Sequence, residues 1–231
     1  MSVLIICYHN INKNGMITPE IFEKNIKLLI EKKYYSATLD EVYNYINGKK
    51  TLPDKTVHLT FDDGYKDNYS EAFPILKKYG FKATVFLITS QVGLLGHLNW
   101  EEILEMQDSG IIDFESHTHS HPRYFLMKPS KQELIDDIML SKNIIKGNLK
   151  KESKYFCYPY GEYDELYVDV LKSAGFLGGL TLDIGSNDIN QNPYLLKRID
   201  ARGPEKWLRN RLVIYSNQFF SKIYEKVYKK I

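Results

Sequence analysis

Two stretches of the sequence carry residue types that could do chemistry. In Thr60-Phe61-Asp62-Asp63-Gly64-Tyr65 two carboxylates are neighbours. Side by side they repel unless a cation is present. Adjacent side chains in extended backbone point opposite ways, so one carboxylate can hold a metal while the other stays free as a base. Taken alone, the pair also fits a solvated Asp-Gly turn. In Ser116-His117-Thr118-His119-Ser120-His121-Pro122, three of the six histidines fall within five residues. Neutral imidazole is the commonest side-chain metal ligand. Spacing alone does not choose among them. A helical turn would join His117 and His121 and turn His119 away, whereas an extended segment would put all three on one side.

Two smaller features stand beside these. Pro159-Tyr160-Gly161 predicts a tight turn that could present a backbone N–H, although a plain connecting turn fits equally well. Tyr8-His9 closes an apolar run, and His9 could be an acid, a ligand or a satisfied core residue. A set of two histidines and one carboxylate leaves positions open on a metal and suits catalytic zinc or non-haem iron. A free carboxylate next to such a metal is what hydrolysis needs, because it can take a proton from a water attacking a carbonyl.

The elements that must position these residues alternate between strand and helix. A continuous apolar run predicts a strand at Val3–Tyr8, and strand-like stretches follow at Tyr35–Thr38, Val57–Phe61, Thr84–Ile88, Ile111–Glu115, Tyr155–Tyr158, Leu177–Leu182 and Leu196–Asp200. Between them lie helix signals. Thr18-Pro19 opens one helix, and Thr38 with Glu41 and Ser130 with Glu133 form capping boxes. Other helices are expected from Asn68 to Tyr79 with Gly80 as stop, after Asn99, and from Asp164 to Ala174 before Gly175. Repeated βα units imply a parallel sheet, and we expect a single-domain α/β fold, a distorted (β/α) barrel of about seven to eight strands. An open doubly wound sheet is the alternative. In either, functional residues gather at the carboxyl ends of the strands, which is where the two acids, the histidines and the Tyr160 turn fall.

Composition bounds the rest. The chain has 231 residues, 43% of them hydrophobic, enough for a substantial core, and its net charge of +2 argues against nucleic-acid binding. Cys7 and Cys157, both in strand-like runs, are expected as buried reduced thiols. The start MSVLIICYHN lacks the basic region of a signal peptide. No stretch reaches the roughly 18 apolar residues of a membrane span. The expectation from both is a cytoplasmic protein.

Taken together, the motifs resemble those of the NodB-type polysaccharide deacetylase family, over His9 to about Asp200. Thr60–Tyr65 is similar to its first motif, Ser116–Pro122 to its second and Phe156-Cys157-Tyr158-Pro159-Tyr160-Gly161 to its third. The resemblance implies a distorted barrel that removes acetyl groups from N-acetylated sugars with one divalent metal, zinc first, with iron, cobalt, nickel or manganese also compatible. It implies Asp62 as general base, Asp63, His117 and His121 as metal ligands, and Tyr160 as the donor of a backbone N–H to the oxyanion. Tyr65, Tyr158, Pro159 and Arg198 are the candidate substrate contacts. Three positions depart from the pattern. Cys157 stands where the third motif usually has arginine, Thr181-Leu182-Asp183-Ile184 lacks the usual tryptophan, and the usual C-terminal Leu-x-His is absent. The motif order is similar to that of the circularly permuted poly-N-acetylglucosamine deacetylases, whose acid histidine lies on the first strand in a Tyr-His pair. Tyr8-His9 fits, which makes His9 the acid and Arg198 the candidate replacement for the missing arginine beside Asp62.

The same site could instead cleave an O-acetyl ester or a non-sugar amide. A catalytically silent sugar-binding barrel is a further alternative, disfavoured because base, ligands and acid are all present. The tail from Glu205 to Ile231 adds a separate expectation. Seven basic residues there face two acidic ones, and Leu208, Leu212, Tyr215, Phe219, Ile223, Val227 and Ile231 recur at helical spacing. Such a basic amphipathic extension after residue 203, with Trp207, packs against the barrel or makes peripheral contact with an anionic membrane surface.

Overall fold

The computed structural model describes residues 2–215 and 218–228. Among the described residues there are eight parallel strands: β1 (Val3–Tyr8), β2 (Tyr35–Ser36), β3 (Thr56–Phe61), β4 (Ala83–Leu87), β5 (Ile112–Ser116), β6 (Tyr155–Cys157), β7 (Gly178–Ile184) and β8 (Leu196–Asp200). They follow the order β1-β8-β7-β6-β5-β4-β3-β2, and β1 also pairs with β3 along its whole length, Val3 with Thr56 through Tyr8 with Phe61. That second pairing closes seven strands into a barrel and leaves β2 as an extra strand on β3, which excludes the open sheet. The closure is uneven. β1 meets β8 only at Ile6–Ile199 and Cys7–Asp200, and β5 meets β6 only at Ser116–Phe156.

Alternation along β1 shows how the barrel is filled. Val3 and Ile5 pack in one buried cluster with Phe86, Tyr155, Cys157, Leu180 and Leu196, while Leu4, Ile6 and Tyr8 join a second with Phe22, Ile26 and Leu29 of α1 (Pro19–Glu31). Side chains two apart share a face, so an uninterrupted apolar run is what a strand buried on both faces requires.

The remaining helices are α2 (Leu39–Ile46), α3 (Phe73–Tyr79), α4 (Trp100–Asp108), α5 (Tyr124–Met127), α6 (Lys131–Leu149), α7 (Glu165–Ser173), α8 (Glu205–Tyr215) and α9 (Gln218–Tyr228). Thr18, Thr38, Asn99, Ser130 and Asp164 cap their helices through side-chain oxygens, with capping boxes at Thr38, Asn99 and Ser130. The helix expected from Asn68 differs. Asn68–Ala72 is a π turn, in which the Phe73 N–H reaches the Asn68 carbonyl. Pro74 has no N–H to give Ser70 and its ring crowds that carbonyl, so the turn widens before α3 begins.

At the C-terminus, Leu208, Leu212 and Tyr215 of α8 are buried, whereas Phe220, Ile223 and Val227 of α9 are largely exposed. The Phe219 side chain and Ile231, both part of the expected stripe, lie outside the described residues. No helix among the described residues is long and apolar enough to cross a membrane.

Candidate active site

Asp63, His117 and His121 converge at the carboxyl ends of β3 and β5. The Nε2 atoms of His117 and His121 lie 3.2 Å apart, and Asp63 Oδ1 is 3.5 and 3.6 Å from them. Donors about 2.0–2.1 Å from a tetrahedral zinc are spaced roughly 3.3–3.5 Å apart, so the triangle fits a metal. The donor chemistry fits as well. His117 Nδ1–H donates to the Cys157 carbonyl at 2.7 Å, which leaves Nε2 with its lone pair turned to the triangle. Burial holds both imidazoles neutral, with His117 pushed below the ordinary value and His121 down to about 4, where the neighbouring His117 adds to the effect. His119 is turned away, with Nδ1 3.0 Å from Thr89 Oγ1, so the turned arrangement of the three histidines is the one adopted.

The loops that carry these groups are strained. Asp63, Thr118, His121 and Tyr160 all have positive φ, of 73°, 70°, 54° and 56°. Each such residue costs about 1–3 kcal/mol and persists only where its surroundings over-determine it. The surroundings can be named. Asp137 of α6 accepts the N–H groups of His119 and Ser120, and Thr118 Oγ1 accepts that of His121. Below this loop the Glu115 carboxylate accepts from Ser153 Oγ and from the Lys154 and Tyr155 N–H groups. Glu115 thereby joins β5 to β6 where their ladder has a single pair. Gly64, at φ +72°, follows Asp63 so closely against β4 that a Cβ would lie 2.8 Å from Leu87 Cδ2.

Asp62 lies outside the triangle, though within 4.8 Å of His117, and turns to other partners. Its Oδ1 and Oδ2 accept from Arg198 NH1 and NH2 at 2.7 and 2.8 Å. The Cys7 and Cys157 thiols, free and buried, donate to Oδ2 at 3.5 and 3.4 Å, and Arg198 NH2 also reaches Cys157 Sγ at 3.1 Å. Burial alone would raise the Asp62 pKa, but the guanidinium outweighs it and holds the carboxyl well below the usual range. His9 approaches from the open side, with Nε2 4.0 Å from Asp62 Oδ2 and a side chain 39% exposed. Asn68 in the π turn donates to the His9 carbonyl at 2.9 Å and so fixes its backbone.

The third loop brings Tyr160 beside the histidines. Its ring lies 4.6 Å from that of His121. Gly161, at φ +69°, allows the turn, because a Cβ there would meet Leu182 Cβ at 2.8 Å.

Three of the expected substrate contacts need correction. Tyr158 is fully buried and its hydroxyl donates to the Tyr194 carbonyl, so it has no surface to offer. Pro159 is buried beneath the turn. Arg198, 1% exposed, is closed off by Asp62 and lies beside the carboxylate rather than against a ligand. Tyr65 is half-buried and stacks on His97 at 5.1 Å, and burial, helped by the neighbouring Asp63 charge, pushes its hydroxyl pKa up to about 12. Asp137, Glu115 and Asn68 had no signal in the sequence, since each acts through backbone groups distant along the chain.

A family model described as polysaccharide deacetylase matches residues 49–178. The poly-beta-1,6-N-acetyl-D-glucosamine N-deacetylase of Staphylococcus aureus is 34% identical over 81% of this chain and 68% of its own length. Among solved structures, the deacetylase PplD of Streptococcus pyogenes, in complex with acetate, has 27% identity and a TM-score of 0.83 over 90% of this chain and 97% of that one. IcaB from Ammonifex degensii has 28% identity and a TM-score of 0.85 over 90% and 95%.

Proposed function

The chain belongs to the polysaccharide deacetylase family, and on that premise we propose that it hydrolyses the N-acetyl group of N-acetylglucosamine residues in a glycan. The S. aureus relative acts, by its name, on poly-β-1,6-N-acetylglucosamine. One observation carries the reading. A triangle of metal-compatible donors stands next to a carboxylate that does not belong to it and that has its own arginine and an open-side histidine.

Asp63, His117 and His121 would hold one divalent metal, zinc first. When bound, it supplies a Lewis acid for the acetyl oxygen and the attacking water. Asp62 takes the proton from that water, with Arg198 fixing the plane of its carboxylate. The Tyr160 N–H donates to the oxyanion of the tetrahedral intermediate, a contact worth about 3–4 kcal/mol. His9 protonates the departing amine, which leaves on the exposed side of Asp62.

The test is acetate release from N-acetylglucosamine oligomers by the metal-loaded full chain and by Asp62→Asn. Turnover should fall roughly 10²–10⁴-fold in the variant, with metal content unchanged. Normal activity in Asp62→Asn would remove the base assignment. Release from O-acetyl sugars alone would make the protein an esterase. Calorimetric sugar binding without turnover would make it a binding barrel.

A further inference from the structure

The loops after β5 and β6 leave strands joined by one ladder pair, so the ladder does little to fix Tyr160 relative to His121. Side chains do it instead. The Arg123 guanidinium lies over the Tyr160 ring, with Cζ 3.9 Å from the centroid. Glu162 accepts from Arg123 NH1 at 3.2 Å through one oxygen and from the Phe125 N–H at 3.0 Å through the other. The ring itself packs on His121. His121, Arg123, Tyr160 and Glu162 thus close a circuit between the two loops, and the backbone of Tyr160 inside it, like that of His121, is in the left-handed region. With the guanidinium seated on it, that face of Tyr160 is closed to a sugar ring, so the aromatic group serves position rather than stacking.

We propose that Arg123 is a positioning residue that, with Glu162, clamps the Tyr160 ring and so holds the strained Tyr160 peptide, and its N–H, in register with the Asp63–His117–His121 cluster. This rests on the deacetylase reading for the role of the N–H, but the clamp itself can be measured without turnover. A flat guanidinium that stacks and forms an ion pair at once is a task lysine does poorly.

The experiment compares zinc-loaded wild type with Arg123→Ala, Arg123→Lys, Tyr160→Ala and Tyr160→Ala/Arg123→Ala in two readouts. In acetate release from N-acetylglucosamine oligomers, Arg123→Ala should lose roughly 10–100-fold in kcat, with KM and zinc content unchanged. Arg123→Lys should recover only part of this. In the Tyr160→Ala background, removing Arg123 should cost nothing more, because the two act as one unit. In 15N relaxation, the Tyr160 amide should have an order parameter near the rigid value of about 0.85 in wild type and below about 0.6 in Arg123→Ala. An unchanged order parameter overturns the proposal. So does a rise in KM with kcat intact, or an equal loss in both Tyr160 backgrounds, either of which would place Arg123 directly on the substrate. If wild type releases no acetate, the deacetylase reading fails, and the amide measurement still decides the clamp.

Discussion

Arg198 grips Asp62 with two parallel N–H···O contacts of 2.7 and 2.8 Å, across 136 residues of sequence, from β8 to the residue just past β3, two strands that do not pair with each other. The pair is almost completely buried, so each charge depends on the other. Replacing Arg198 by alanine leaves an uncompensated carboxylate in the barrel, which costs about 3–5 kcal/mol. We expect a matching fall in the urea midpoint. We also expect loss of acetate release below the unfolding transition, since Asp62 would turn or protonate. Arg198→Lys should restore charge but not the fork, and so recover stability better than turnover. Full activity in Arg198→Ala would show that Asp62 needs no orienting partner.

The donor triangle predicts a metal that can be removed and restored. Chelation should abolish acetate release and zinc should return it. Mass spectrometry should find about one metal per chain in wild type and none retained by His117→Ala. Metal at 100 times its dissociation constant should also add about 2.7 kcal/mol to folding stability, seen as a rise in unfolding temperature absent from the variant. Metal-independent activity would sink the proposed mechanism.

How far the sequence could be read depended on the range of the interaction. The apolar run at β1 was legible because a strand buried on both faces needs side chains of that kind at every position, whereas β2 and β8, with Tyr35-Ser36 and Leu196-Lys197-Arg198, showed only as strand-like stretches between helix signals. Helix starts were legible at Thr18, Thr38 and Ser130, where the cap and its partner lie within three residues. The π turn at Asn68 was not, although Pro74 announced a defect. Four residues at Tyr124–Met127 are too few to show a helical period. In the site, adjacent acids and clustered histidines were visible, but their arrangement needed the family resemblance. Asp137, Glu115 and Glu162 could not be seen, since a lone acid that binds backbone N–H groups across the fold leaves no pattern around itself. The burial of Tyr158 was equally hidden, because a tyrosine beside a motif looks the same whether its hydroxyl meets solvent or the Tyr194 carbonyl.

Gly161 offers a test of how narrowly Tyr160 is placed. Its φ of +69° is costly for any other residue, and an alanine Cβ would lie 2.8 Å from Leu182 Cβ and 3.0 Å from Leu182 N. The turn must shift away from β7 and take the neighbouring Tyr160 N–H with it. Gly161→Ala should destabilise by about 1 kcal/mol or more, and its kcat should fall while metal content is kept. A variant that loses stability but keeps kcat would show that the Tyr160 N–H does not need this placement.

His58 gives the clearest pH signature outside the site. Its Nδ1–H donates to the Ala37 carbonyl at 2.8 Å and its Nε2 sits 3.1 Å from the Thr84 hydroxyl, both fully enclosed. Burial lowers its pKa from 6.5 to about 4. Between those values the unfolded chain binds a proton that folded His58 refuses, so its contribution is present above pH 6.5 and is lost as pH falls toward 4. That lowering sets a ceiling of about 3 kcal/mol. Glu115 works in the other direction. Burial raises it from 4.5 to about 7, so its contribution is present below pH 4.5 and is lost as pH rises to 7. The two slopes oppose each other in wild type, so each is read as the difference between wild type and the variant that lacks it. In urea unfolding of the metal-free protein from pH 4 to 7, His58→Gln should lose stability as pH rises relative to wild type, and Glu115→Gln should gain it. If His58→Gln tracks wild type at every pH, the folded and unfolded chains bind the His58 proton equally, and its contacts to Ala37 and Thr84 do not hold the neutral ring.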